Sequence, residues 1–185
     1  MSGIRSGPGK PVGTIPGLDV ATPARAARIR ATEIDLPTAE DTRELGRWLA
    51  GLLRPGDLVV LAGPLGAGKT TFAQGVGAGL GVESAVTSPT FVIAREHPDG
   101  RIPLVHVDAY RLGGVGEVDD LDLDTDAEAA VTLVEWGIGK VEKLAEEHLV
   151  VHLSRDSDSD TDRRTATLEP HGRGWVSRLT ANPPR

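Results

Sequence analysis

No cysteine occurs in the 185 residues of this chain, which excludes disulfides and thiolate metal sites from its chemistry. That absence sits easily with a reducing compartment, and the cytoplasm is the expected location. Long apolar runs are missing too. Although 39% of the residues are apolar, the longest runs are strand-sized and fall far short of the roughly 20 residues that cross a bilayer. No membrane span or membrane partner is expected. The first 31 residues hold Arg5, Lys10, Arg25, Arg28 and Arg30 against Asp19, with no apolar stretch after the charges, so they do not read as a secretory signal. Excess positive charge is lacking as well. The chain carries −7 overall, and the residues beyond 31 carry about −11. So acidic a surface repels a phosphate backbone, and direct binding to DNA or RNA is not expected.

What is present fits one domain. Residues 1–31 are rich in Gly, Pro, Ala and Arg without a sustained period, the composition of a largely disordered arm. The domain proper is expected over 32–180, followed by a short tail, 181–185. Thr38-Ala39-Glu40-Asp41 has the form of a helix-capping box, and Leu45, Trp48, Leu49, Leu52 and Leu53 follow at helical spacing until Pro55-Gly56. Asp57 to Ala62 reads as a buried strand, and Thr70 to Leu80 as a helix. Thr90 to Ala94 and Ile102 to Val107 read as strands of a hairpin around His97-Pro98-Asp99-Gly100. Further strands are expected at 131–134, 149–153 and 165–168, with a short helix from Lys140 to Glu147. Alternating strands and helices predict an α/β fold with a mixed, mostly parallel sheet that contains an antiparallel hairpin strand.

Gly63-Pro64-Leu65-Gly66-Ala67-Gly68-Lys69-Thr70 fits G-x-x-x-x-G-K-[ST] at every fixed position and lies between the expected strand and helix. Glycines there let backbone N–H groups turn toward phosphates, and the helix start favours an anion. Lys69 is placed to reach the β- and γ-phosphates of a nucleoside triphosphate, and the Thr70 hydroxyl to reach Mg²⁺. The fold expected is therefore a P-loop NTPase-like three-layer one, with ATP and Mg²⁺ as its ligands. Such a site needs carboxylates at neighbouring strand ends. Leu104-Val105-His106-Val107-Asp108 and Val131-Thr132-Leu133-Val134-Glu135 each supply one. Asp120, Asp122 and Asp124, and separately Asp156, Asp158 and Asp160, imitate the start of a calcium loop. The glycine it requires is Thr125 or Thr161, and the closing glutamate is Val131 or Thr167, so these read as solvated acidic loops. The Ser/Asp run from Ser154 to Asp162 reads as surface.

Four segments in order, Gly66-Ala67-Gly68-Lys69-Thr70-Thr71, Thr87-Ser88-Pro89-Thr90-Phe91, His106-Val107-Asp108-Ala109-Tyr110-Arg111-Leu112 and Leu133-Val134-Glu135-Trp136, resemble the TsaE (YjeE) family of small bacterial ATPases. That family helps make the threonylcarbamoyl modification of adenosine in tRNA, and the resemblance covers about residues 34–170. It implies that Pro64 to Thr71 bind the nucleotide and that Thr70 and Glu135 coordinate Mg²⁺. Lys69, Asp108 and Glu135 are the implied catalytic set, Asp108 serving the metal and water network. Trp136 is implied to lie near the nucleotide, Thr38 or Thr42 to touch the base, and Arg164, or Arg163 one register away, to meet the nucleotide. Thr87 to Thr90 would act as a mobile switch near the γ-phosphate, and Glu117 to Glu128 would include a short helix. The implied partners are TsaB and TsaD homologues, with tRNA reached through that pair. On the residues alone Trp136 could equally be core, and His106 a satisfied buried histidine. A small-molecule kinase or a nucleotide-gated binding module would share the P-loop, but the sequence shows no arginine-rich lid of the sort a kinase uses.

Overall fold

The computed structural model describes residues 33–112, 128–155 and 162–184. The arm 1–31, nearly all of the stretch expected to hold a helix at 117–128, and most of the Ser154–Asp162 run lie outside them. Seven strands, β1 (Glu33–Leu36), β2 (Leu58–Ala62), β3 (Ala94–His97), β4 (Leu104–Asp108), β5 (Val131–Glu135), β6 (His148–Arg155) and β7 (Arg164–His171), form one sheet. Among the described residues three α-helices accompany it, α1 (Ala39–Ala50), α2 (Lys69–Leu80) and α3 (Arg173–Ala181), with a short 3-10 turn at Ala109–Arg111. The strand order is β1-β7-β6-β2-β5-β4-β3. β6, β2, β5 and β4 run parallel, and the ladders at both flanks are antiparallel. The α/β class with a mixed, centrally parallel sheet is therefore the fold observed, with antiparallel strands at both edges instead of one.

β2 is buried on both faces, which is why it reads as a continuous apolar run. On one face Val59 and Leu61 pack with Leu45 and Leu49 of α1, Phe72 and Val76 of α2, and Trp175 of α3. On the other, Leu58 and Val60 are covered by Ala109, Leu112 and Val141. α1 begins as its sequence dictates: the Asp41 N–H donates to Thr38 Oγ1 at 3.2 Å while Asp41 Oδ2 accepts from the Thr38 N–H at 2.8 Å. α1 and α2 approach almost backbone to backbone. A side chain at Gly75 would collide with the Arg43 carbonyl, and one at Gly46 with the Phe72 carbonyl.

Several local expectations are corrected. The strand expected from Thr90 starts only at Ala94, because the Pro89 carbonyl accepts the N–H groups of Val92 (2.8 Å) and Ile93 (2.7 Å) and Ile93 turns to φ 70°. No helix forms from Lys140 to Glu147; the segment is a chain of turns. Eight residues make a poor isolated helix, and here better partners compete. Lys140 Nζ donates to the carbonyls of Ala109 (2.5 Å) and Leu112 (2.8 Å), and the Gly139 N–H donates to Glu142 Oε1 (2.6 Å). β6 and β7 each run to eight residues, beyond their apolar centres, because they pair with each other. β1 and α3 are additional elements with no counterpart among those expected from the sequence.

Candidate functional site

The functional groups collect where the parallel strands end. β2 runs into Gly63-Pro64-Leu65-Gly66-Ala67-Gly68, and α2 starts at Lys69 with Gly68 as its N-cap at φ 102°, a left-handed conformation that suits glycine. A cleft of about 410 Å³ opens over this loop. It is lined by Leu65, Gly66, Gly68, Lys69, Thr70 and Thr71 from the loop and helix, by Ser88 and Thr90, by Asp108, Glu135 and Trp136, and by Arg155 and Arg164.

Asp108 and Glu135 are neighbours in the parallel ladder, and both are buried. Each is held by named donors. Glu135 Oε1 accepts from Thr70 Oγ1 at 3.0 Å and lies 3.0 Å from His106 Nε2. Asp108 accepts from the Tyr110 N–H at 2.9 Å and from the Thr90 hydroxyl, which in turn lies 2.7 Å from Ser88 Oγ. The expected switch segment is thus tied directly to one of the two acids. Lys69 is only 5% exposed. Its ammonium donates to the carbonyls of Gly63 (2.8 Å) and Pro64 (2.9 Å) and sits 3.8 Å from the centre of the Trp136 ring. Burial pushes its pKa below the ordinary lysine value, against the pull of Glu135 and Asp108. Trp136 itself is at φ 61°, and Tyr110 meets its ring edge-on at 5.3 Å.

Among the described residues no three acidic or histidine side chains converge into a preformed metal cage. Thr70 Oγ1 with two carboxylates is nevertheless the small hard-oxygen set that suits Mg²⁺ when phosphates and water complete its shell. The remaining sequence candidates, Pro64, Ala67, Thr38, Thr42 and Arg163, are not among the residues that line the cleft. Pro64 offers its carbonyl to Lys69, and Ala67 is buried in the core. Thr38 is the exposed cap of α1. Thr42 is fully buried, its methyl lying with Arg164 against Gly68. Arg163 points to Asp35 instead. Arg155 was missed by sequence reasoning. It heads a Ser/Asp-rich run whose composition carries no signal for it, and only the pairing of β6 with β7, which puts Arg155 opposite Arg164, brings it to the cleft.

A centrally parallel sheet whose middle strand runs into this glycine loop, with acids ending the two next strands, defines a P-loop NTPase-like α/β protein. A family model described as "Threonylcarbamoyl adenosine biosynthesis protein TsaE" matches residues 36–165. The protein named tRNA threonylcarbamoyladenosine biosynthesis protein TsaE of Streptomyces coelicolor is 57% identical over 140 residues, 73% of this chain and 94% of that one. The Bacillus subtilis protein of the same name is 41% identical over 124 residues, 66% of this chain and 77% of that one. The crystal structure of Bacillus subtilis YdiB superposes with a TM-score of 0.67 at 32% identity, covering 82% of this chain and 93% of that one. The chain belongs to the TsaE family. Proteins of this family take part in tRNA threonylcarbamoyladenosine biosynthesis.

Proposed function

We propose that this chain is a Mg²⁺-dependent ATPase whose nucleotide cycle supports a TsaB–TsaD pair in forming N6-threonylcarbamoyladenosine at position 37 of tRNA. The observation that carries the reading is the convergence of Lys69, Thr70, Asp108 and Glu135 on one cleft. Mg²⁺ would be held by Thr70 and Glu135, with Asp108 beside them, and would neutralise charge on the β- and γ-phosphates.

The rest follows from the chain's own groups. Lys69 exchanges its two loop carbonyls for phosphate oxygens, which are stronger acceptors. His106 and Thr70 fix the orientation of Glu135. Asp108 orients the attacking water, and because it also holds Thr90, the state of the cleft is transmitted to the segment Thr87 to Thr90. Next to that segment Phe91 is 90% exposed and, at the loop tip, Leu65 is 92% exposed. Large apolar side chains so presented around a cleft suit a protein partner. An acidic body with such a rim favours reaching tRNA through proteins.

The test is the affinity of the full chain for a TsaB–TsaD pair with ATP, with ADP and without nucleotide, together with Mg²⁺-dependent ATP hydrolysis. A nucleotide-dependent difference is expected, with hydrolysis lost in Thr70→Ala. Equal affinity in all three states would overturn the coupling, and Mg²⁺-independent hydrolysis the metal assignment.

A further inference from the structure

Arg155 ends β6 and faces Arg164 of β7 across the ladder, and both line the cleft. The arginines at this corner are committed to different degrees. Arg163 is held by Asp35, its Nε donating at 2.8 Å. Arg164 donates to the Asp162 carbonyl at 2.6 Å and pairs with its carboxylate at 2.9 Å. Its Nε, however, is buried without a partner and lies against Gly68 of the phosphate loop. Arg155 is exposed and makes no hydrogen bond or ion pair among the described residues. Arg155 therefore presents to the cleft a guanidinium with no partner among the described residues, while the Nε of Arg164 is buried behind it against Gly68.

The strand order gives the cleft a polarity. Glu135 and Asp108 stand on β5 and β4, on one side of β2, and the arginines stand on β6 and β7, on the other. With the β- and γ-phosphates directed to the carboxylate side, the rest of the nucleotide runs toward β6. We propose that Arg155 is a nucleotide-binding residue that grips the phosphate nearest the ribose, at the end of the triphosphate remote from Glu135 and Asp108. The proposal rests on the ATP reading given above. A guanidinium fork suits two phosphate oxygens better than a point charge does. One uncommitted arginine on an acidic body suits a single phosphate, not a nucleic-acid backbone. A contact at that end is made equally to ATP and ADP, so it sets affinity and leaves the chemical step alone.

The experiment measures the dissociation constants of the full chain for ATP and ADP by calorimetry, and kcat at saturating ATP, for the parent, Arg155→Gln, Arg155→Lys and Arg163→Gln. Arg155→Gln should weaken ATP and ADP alike by about tenfold with kcat unchanged. Arg155→Lys should recover part of the loss, and Arg163→Gln should bind as the parent does. Unchanged ADP affinity in Arg155→Gln would overturn the proposal. So would a fall in kcat with affinity intact, which would put Arg155 at the transferring phosphoryl group. A parent that binds ADP but does not hydrolyse ATP would remove the ATPase reading and leave the Arg155 test standing. A parent that binds neither nucleotide would overturn both.

Discussion

The two ends of the parallel strands treat buried polar groups in opposite ways. At the carboxyl end Lys69, Thr70, Glu135, Thr90 and Asp108 are bonded to one another or to loop carbonyls, contacts that on the proposed reading a phosphate, a cation or water would replace. At the amino end the partners are permanent. Arg178 of α3 forms a two-pronged pair with Asp57 at 2.6 and 2.8 Å, donates to the Leu52 carbonyl at 3.0 Å and lies over the Trp175 ring. Nearby, His148 is buried with neither ring nitrogen bonded and stacks on His171 at 4.3 Å. One end is arranged for exchange, and the other closes the core.

The largest effect that would sharpen this contrast is expected from Lys69→Ala. Losing its charged contacts to phosphate should weaken triphosphate binding by about 3–4 kcal/mol, or 100- to 1,000-fold, with the unfolding midpoint nearly unchanged; titration with a fluorescent ATP analogue and a denaturant melt read both. Glu135→Gln keeps the shape and removes the charge. It should hold nucleotide affinity within about tenfold and slow Mg²⁺-dependent hydrolysis about 100-fold. If Asp108→Asn loses hydrolysis and Glu135→Gln does not, the two carboxylates have exchanged roles. Arg178→Ala reverses the pattern, since it strands the half-buried Asp57 carboxylate. A loss of about 3 kcal/mol in denaturant unfolding is expected, with ATP affinity unaltered, and a matched loss of affinity would break the division between the ends.

The smallest effect concerns pH. Burial, and then His171, hold the His148 pKa below its ordinary 6.5. Above that value both folded and unfolded chains carry it neutral. Below it the unfolded chain takes up the proton more readily, so stability is lost as pH falls from 6.5 toward the folded value. His97 is lowered in the same direction by its own burial. His148→Phe, which keeps a ring against His171, should therefore flatten part of the decline in melting temperature as pH falls from 7.5 through 6.5 to 5. An unchanged slope would mean that His148 does not contribute.

What was legible in the sequence is what local chemistry decides. The capping box at Thr38, the glycine loop and the apolar runs ending in Asp108 and Glu135 each carry their own signal, and all three lie where expected. The rest depends on distant partners. α3 has a glycine N-cap without a side-chain bond and is anchored by Asp57, 121 residues away. Lys140 to Glu147 has helical composition but is held in turns by carbonyls at Ala109 and Leu112. Arg155 is on a strand only because Arg164 is across from it, and no reading of a Ser/Asp-rich run would place it at the cleft. For the cleft residues sequence gives proximity to the loop but not commitment, and it is commitment that separates Arg155 from Arg163.

The near-contact of α1 and α2 at Gly46 and Gly75 has a mechanical meaning. With no side chains between the two backbones, neither helix has room to slide, so the glycine loop, Thr42 and the Arg164 corner move as one stiff block. On the proposed reading, motion produced by a bound nucleotide would be displaced to the other side of the cleft, where Thr90 is held to Asp108 by a hydroxyl. The molecule would then work as an anvil with one moving arm, and an alanine at Gly75, by wedging the block apart, would loosen the anvil before it touched the arm.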